Sequence, residues 1–427
     1  MASVLVRAVR SCTRLCVSKN WIAHGRSLTS DPGDHGWSGG QYTTDMLAGS
    51  SPHKQQVVRP MYRVLDHTGK VLDAAQVPDL SNTQLVKMLE LMVTVGVMDQ
   101  QLYKAQRMGL ISFYMMSYGE EAVVASAAAL AHDDMVFAQY REPIVLYWRG
   151  YTIDQVLDQC FGNRLDLAKG RQMPVHFGSK DLHFQFISSP LSTQMPQAPG
   201  YAYGMKLSGK KNCVICYFGD GAAQEGDAHA AMNFSATLGC PVIFFCRNNG
   251  YAISTPTHDQ YAGDGIVSRG PGYGIESIRV DGNDVFAIYN ATKHAREVAV
   301  NEHRPVLIES MSYRLGSHST SDDQTGYQDM SIVEQWKREY HPTIRLRNYL
   351  LERGLWDAQR EKSLHAAVSD KLKKGLNRAR DEPKPHLGYL FEDVHSKLTP
   401  RLERQKRELM EHIKEYKDYY PLNQHES

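Results

Sequence analysis

Two polar clusters at the ends of two apolar runs constrain this chain more than any other feature. Val214-Ile215-Cys216-Tyr217-Phe218 reads as a buried strand that stops at Gly219-Asp220-Gly221. Val242-Ile243-Phe244-Phe245-Cys246 reads as a second one, running straight into Arg247-Asn248-Asn249 and then Gly250-Tyr251. Between them, Ala228 to Leu238 has helical composition. Strand, glycine turn, helix, strand puts both clusters at the carboxyl ends of neighbouring parallel strands. Open α/β sheets bind their ligands at that edge.

The chemistry of the pair is specific. An Asp, an Asn and a backbone carbonyl are hard oxygen ligands that leave much of an octahedral shell to water and phosphate, as Mg²⁺ prefers. Gly219 and Gly221 let the backbone approach a diphosphate, and the amino terminus of the following helix favours its charge. Arg247 adds a fixed cation with a donor fork. Gly-Asp-Gly alone occurs in many turns; with Asn-Asn on the next strand end, it is similar to the thiamine diphosphate motif.

Composition narrows the class. The 48 Lys and Arg balance the 47 Asp and Glu, so no basic face for nucleic acid is implied. No apolar run approaches the roughly 20 residues that span a bilayer. Met1 to Ser30 has no acidic residue, while Arg7, Arg10, Arg14, Lys19 and Arg26 are spread among Ser, Ala, Val and Leu. That is the composition of a transit peptide and implies the mitochondrial matrix, with cleavage within the first 50 or so residues. Of seven cysteines, Cys12 and Cys16 fall in that segment. Cys213 and Cys216 lie three apart on one strand, point to opposite faces and read as core thiols; no disulfide framework is implied.

Strand and helix signals alternate along the rest of the chain. Ser81 reads as the cap of a long helix ending near Gly109, with Leu85, Met88, Leu91, Val95 and Met98 on one face. Strands are expected at Met135 to Ala138, Ile275 to Val280 and Val306 to Met311, and helices from Gln197 to Leu207 and from Asp284 to Asn301. The alternation implies an α/β domain with a doubly wound parallel sheet and helices on both faces. The domain plan is a leader over 1–50, an extended arm over 51–80, the α/β domain over 81–335 and a helical C-terminal region over 336–427. Asp381-Glu382-Pro383-Lys384-Pro385 reads as a hinge, and Thr399-Pro400 as the cap and first turn of a late helix. That helix and the aromatic tail Tyr419-Tyr420 read as an interaction element or as a solvated helix packed on its own domain.

Segments 138–142 (AQYRE), 170–178 (GRQMPVHFG), 187–194 (ISSPLSTQ), 219–227 (GDGAAQEGD), 247–255 (RNNGYAIST) and 313–323 (YRLGSHSTSDD) cover nearly the whole chain. Together they resemble the alpha subunits of branched-chain 2-oxo acid dehydrogenase decarboxylases. Pyruvate dehydrogenase alpha subunits share the Gly-Asp-Gly and Asn-Asn elements. The resemblance implies the diphosphate-binding half of a thiamine diphosphate fold. Asp220, Asn249 and the Tyr251 carbonyl would hold Mg²⁺, with Gly221, Ala222 and Arg247 around the diphosphate. Gln139, Tyr140, Arg141, Ser189 and Leu191 would line the rest of the cofactor site. Ser188, Pro190, Thr193 and Gln194 match a potassium site; by their residue types alone they are an ordinary turn.

His318, by itself a loop histidine titrating near neutral pH, would by resemblance assist acyl transfer to a lipoyl group. Ser319 matches a phosphorylation site through which a kinase, opposed by a phosphatase, regulates the family. The family's second such serine falls at Asp329, and Ser317 stands where the family often has His. The pyrimidine-binding half is absent. In the family a separate beta subunit supplies it with the activating Glu, in a heterotetramer of two alpha and two beta chains serving a lipoyl acyltransferase. Pyruvate or a broader 2-oxo acid as substrate, and a non-catalytic structural subunit, stay open as alternatives.

Overall fold

The computed structural model describes residues 58–426. The leader sequence, with Cys12 and Cys16, and the first residues of the arm lie outside the described residues.

The sheet is parallel throughout. Its strands are β1 (Met135–Phe137), β2 (Val214–Gly219), β3 (Val242–Asn248), β4 (Glu276–Asp281) and β5 (Val306–Met311), in the order β1-β2-β3-β5-β4. Gly219 pairs with Arg247 in the β2–β3 register, so the two polar clusters emerge side by side. β1, β2, β3 and β5 are buried almost throughout, as their apolar runs require, whereas the edge strand β4 is half-buried over Glu276 to Arg279. Cys213, Ile215 and Tyr217 enter one core, whereas Val214, Cys216 and Phe218 enter the other. The two cysteines therefore lie on opposite faces, and the five described cysteines are free and buried.

Helices cover both faces, the doubly wound arrangement. They are α1 (Asn82–Arg107), α2 (Ile153–Phe161), α3 (Gln194–Leu207), α4 (Gly226–Leu238), α5 (Val285–Glu302), α6 (Met330–Glu339), α7 (Pro342–Glu352), α8 (Ala358–Asp381) and α9 (Pro400–Glu415). Met195, Ala198 and Ala202 of α3 and Ala228, Ala231 and Met232 of α4 fill one side. On the other, α1 and α5 pack with the sheet, and α8 packs on α1 and α2. Ser81 caps α1 through a reciprocal pair with Gln84. Leu85, Met88, Val95 and Met98 are buried there, and Leu91 is half-buried. Among the described residues no helix is long and apolar enough to cross a membrane.

Three features add to or correct the sequence reading. The boundary at 335/336 falls inside α6, and Trp356, Val368, Leu372 and Ala379 beyond it belong to the same core as α1. The arm is tied down: Asp284 Oδ2 accepts the Val64 and Leu65 N–H groups at 2.7 Å each, and Asp281 Oδ2 meets Arg63 Nε at 2.8 Å and Arg345 Nη1 at 2.7 Å. The segment read as a hinge is pinned. Lys384 N donates to Gln424 O (2.6 Å), Glu426 N donates to Lys384 O (2.8 Å), and Arg164 N donates to Pro383 O (2.8 Å). Its prolines make a rigid extended strut, because a returning tail satisfies the backbone beside them. Thr399 caps α9 with Pro400 in its first turn. Only Ile413 of that helix is buried, and Tyr419 is 86% exposed.

Candidate active site

A cavity of about 530 Å³ opens at the carboxyl edge of β2 and β3. It gathers Gln139, Tyr140, Arg141, Ser189, Leu191, Asp220, Gly221, Ala222, Arg247, Asn249, Tyr251 and His318 from segments spread across the chain. Ser188, Pro190, Thr193 and Gln194 do not line it. Ser188 and Pro190 flank Ser189 in the loop before α3, Thr193 precedes the helix and Gln194 is its first residue. Thr193 Oγ1 donates to Pro190 O (3.2 Å), and Gln194 Nε2 donates to Tyr217 O (2.9 Å). Ser192, between them, donates to the Ala222 carbonyl. The loop is thereby fastened to both β2 and the glycine turn.

Arg247 organises the floor. It is buried between Glu142, which accepts its Nε–H, and Glu120, whose Oε2 is 2.5 Å from its Nη1. Glu120 Oε1 also accepts Asn249 Nδ2 at 2.9 Å. Burial alone would raise the Glu120 carboxyl; the Arg247 and Arg141 guanidinium groups outweigh it and hold it below the usual range. Glu142 Oε2 accepts Gln139 N (2.7 Å), and Gln139 Oε1 accepts Gly219 N (2.9 Å). One chain of bonds therefore fixes the turn, both strand ends and the orientation of the Asn249 amide.

Asp220 is 2% exposed, and burial pushes its carboxyl up to about 6 against a 2.7 Å bond from Gln260 Nε2. A carboxylate buried here without a cationic partner fits a cation site. Among the described residues no three His, Cys, Asp or Glu cluster to hold a metal. One carboxylate, the Asn249 amide oxygen and the Tyr251 carbonyl suit a hard cation that takes its remaining oxygens from a phosphate ligand. A Cβ on Gly221 would lie 2.7 Å from Ala252 Cβ, so the turn can pass only as glycine.

The opposite wall is the loop 313–323. Arg141 Nη2 donates to His318 O at 2.7 Å and lies 3.2 Å from His318 Nδ1, and the Tyr140 ring meets the imidazole edge-on. His318 N donates to Asp322 Oδ2 (2.6 Å), which also accepts Tyr327 OH (2.5 Å). Arg314 Nη2 reaches Tyr327 OH (2.6 Å) and Ile253 O (2.5 Å). Burial, then Arg141 and Arg314, push His318 down to about 3. This corrects the sequence reading of a loop histidine titrating near neutral pH: two guanidinium groups keep the ring neutral. A guanidinium only donates, so Nδ1 accepts and Nε2 carries the proton. Ser319 is half-buried, with its Oγ accepting Ser321 N at 3.2 Å. Asp329 caps α6, accepting Ser331 N at 2.8 Å.

Sequence reasoning missed Glu120, Glu142, His176 and Arg314. The signal for the first was present: Glu120-Glu121 stands amid apolar residues just before an alanine-rich run, an unusual setting for carboxylates bound for solvent.

Comparison with known proteins agrees with this geometry. Residues 89–388 match the model of the "Dehydrogenase E1 component" family. The chain is 53% identical over 365 residues to the mitochondrial 2-oxoisovalerate dehydrogenase subunit alpha of Homo sapiens, covering 85% of this chain and 82% of that one. The Caenorhabditis elegans protein of the same name is 53% identical, covering 85% and 84%. Subunit alpha 1 of Arabidopsis thaliana is 46% identical, covering 90% and 81%. With the diphosphate-type turn, the buried Asp220 and the match along most of its length, the chain belongs to the dehydrogenase E1 component family, among its alpha subunits.

Proposed function

We propose that this protein is the alpha subunit of a mitochondrial-matrix decarboxylase that acts on branched-chain 2-oxo acids and passes the acyl group to a lipoyl acyltransferase. The observation that carries the reading is the single cavity joining Asp220, Arg247, Asn249 and His318, on a chain about half identical to 2-oxoisovalerate dehydrogenase alpha subunits. Thiamine diphosphate, when bound, supplies a nucleophilic carbon and an electron sink for loss of CO₂. Asp220, Asn249 and the Tyr251 carbonyl would hold Mg²⁺, with Gly221, Ala222 and Arg247 around the diphosphate. Gln139, Tyr140, Arg141, Ser189 and Leu191 complete the pocket. Neutral His318 would offer its Nε2–H as a hydrogen-bond donor to the reacting oxygen or sulfur, stabilising charge that develops there during acyl transfer. K⁺ on Ser188, Pro190, Thr193 and Gln194 would stiffen the loop that presents Ser189 and Leu191.

The activating carboxylate comes from a beta subunit in an α2β2 heterotetramer. Kinase phosphorylation of Ser319 adds nearly two negative charges beside the Asp322 carboxylate that tethers the loop. Repulsion opens the loop and blocks the lipoyl partner, and a phosphatase reverses it. The residues over 1–50 are the cleaved leader. The test is co-expression with a candidate beta subunit, then decarboxylation of 3-methyl-2-oxobutanoate and pyruvate with Mg²⁺ and thiamine diphosphate. Preference for the branched acid supports the reading. Preference for pyruvate moves the chain to the sister enzymes, and normal assembly without turnover leaves a structural subunit.

A further inference from the structure

His176 is 3% exposed in the wall of the cavity, on the loop after α2, and the proposed mechanism gives it no task. Its Nδ1 lies 3.0 Å from Pro174 O, and its Nε2 lies 2.6 Å from Ser189 Oγ. A backbone carbonyl only accepts, so Nδ1 carries a proton; in that tautomer Nε2 is an acceptor. Ser189 must then donate its hydroxyl proton to His176. The serine's other contact, Met173 Sδ at 3.8 Å, is weak by comparison.

The loop holds this arrangement under strain. Val175 has φ +64°, a left-handed conformation rare for a β-branched residue, and it is buried. Gln159 of α2 clamps it from both sides: its Oε1 accepts Val175 N (3.0 Å) and its Nε2 donates to Met173 O (2.7 Å). Such a conformation persists only where its surroundings over-determine it, and here the outcome is the placement of one imidazole against one hydroxyl.

We infer that His176 is a positioning residue that takes the Ser189 proton, so that Ser189 Oγ faces the cavity as an acceptor and selects a ligand group bearing N–H or O–H. The inference rests on the proposed cofactor site and extends it to the hydrogen-bond polarity of its wall. A ligand carbonyl or phosphate oxygen at this point would meet lone pairs.

The test uses the assembled heterotetramer, with thiamine diphosphate binding followed by calorimetry in saturating Mg²⁺ and with kcat and KM measured separately. H176F removes the acceptor and lets the hydroxyl turn its proton into the cavity; cofactor affinity should fall about tenfold, the effect of one misdirected buried hydrogen bond. H176Q keeps an acceptor and should bind within about threefold of wild type, on the same physical grounds. In an S189A background H176F should add little. Equal binding by wild type and H176F, equal loss in H176F and H176Q, or additivity with S189A would each overturn the inference. Should H176F not assemble, H176L takes its place in the same comparison. Failure of wild type to bind the cofactor would instead sink the proposed site.

Discussion

Arg247 and His318 face each other across one cavity and are held in opposite ways. Arg247 sits in a dry lattice of two carboxylates whose other oxygens fix Gln139, Asn249 and, through Gln139, Gly219. His318 rides on a loop held by the buried Arg141 and Arg314 and by the half-buried Asp322. The first wall has one stable arrangement, because losing any member strands a buried charge. The second has a tether at Asp322 that one charge can undo. Binding belongs on the first kind of wall and transfer to a visiting partner on the second.

Substitutions on the two sides should separate these roles. Asp220→Ala should abolish Mg²⁺-dependent cofactor binding, a loss larger than the roughly 100-fold typical of an outer ligand partner; normal affinity by calorimetry would remove Asp220 from the metal site. His318→Ala should slow acyl transfer by about 100-fold or more, the usual worth of one positioned hydrogen-bond donor to developing charge, while cofactor affinity stays near wild type; unchanged turnover would reduce His318 to a loop residue. Arg247→Met should destabilise the fold by about 3–5 kcal/mol, since it leaves two carboxylates buried without their cation. A denaturation midpoint at the wild-type value would contradict the lattice. Asp322→Asn should leave the melting temperature alone and raise hydrogen exchange over 313–323, with about a tenfold loss in acyl transfer, as for one charged hydrogen bond.

The smallest effect concerns Glu121, beside the lattice but outside the cavity lining. Burial pushes its carboxyl up to about 8, against the hydrogen bonds from its own backbone N–H and from Gly119 N (3.1 Å). Its folded pKa lies above its unfolded value near 4.5, so its contribution is complete below about pH 4.5 and is lost as pH rises through about 8. Glu121→Gln should flatten the fall in stability across that window. An unchanged pH slope would show that the carboxyl is already ionised in the fold.

How much of this was legible in the sequence follows the range of the forces involved. Strand, turn and helix around Gly219-Asp220-Gly221 are local, and unbroken apolar runs announce strands buried on both faces. The residues proposed for metal and diphosphate could be grouped from the sequence for the same reason, since the pairing of neighbouring strands brings Asp220 and Asn249 to one cavity. Glu120 was not: it meets Arg247 from 127 positions away, and a Glu-Glu pair reads as surface until the fold encloses it. His318 lines the same cavity with a different titration from that read, because the fold buries it and brings Arg141 to it from 177 positions away. The Pro383–Pro385 strut failed as a hinge because the strand that pins it returns from the end of the chain.

The Glu120–Arg247–Glu142 lattice closes through side chains and backbone of this chain alone. Loading the cofactor is therefore a docking event on a finished surface, with little chain left to order on this side. The heat-capacity change of loading should then scale with the apolar area the ligand covers, without the large negative excess that accompanies coupled folding.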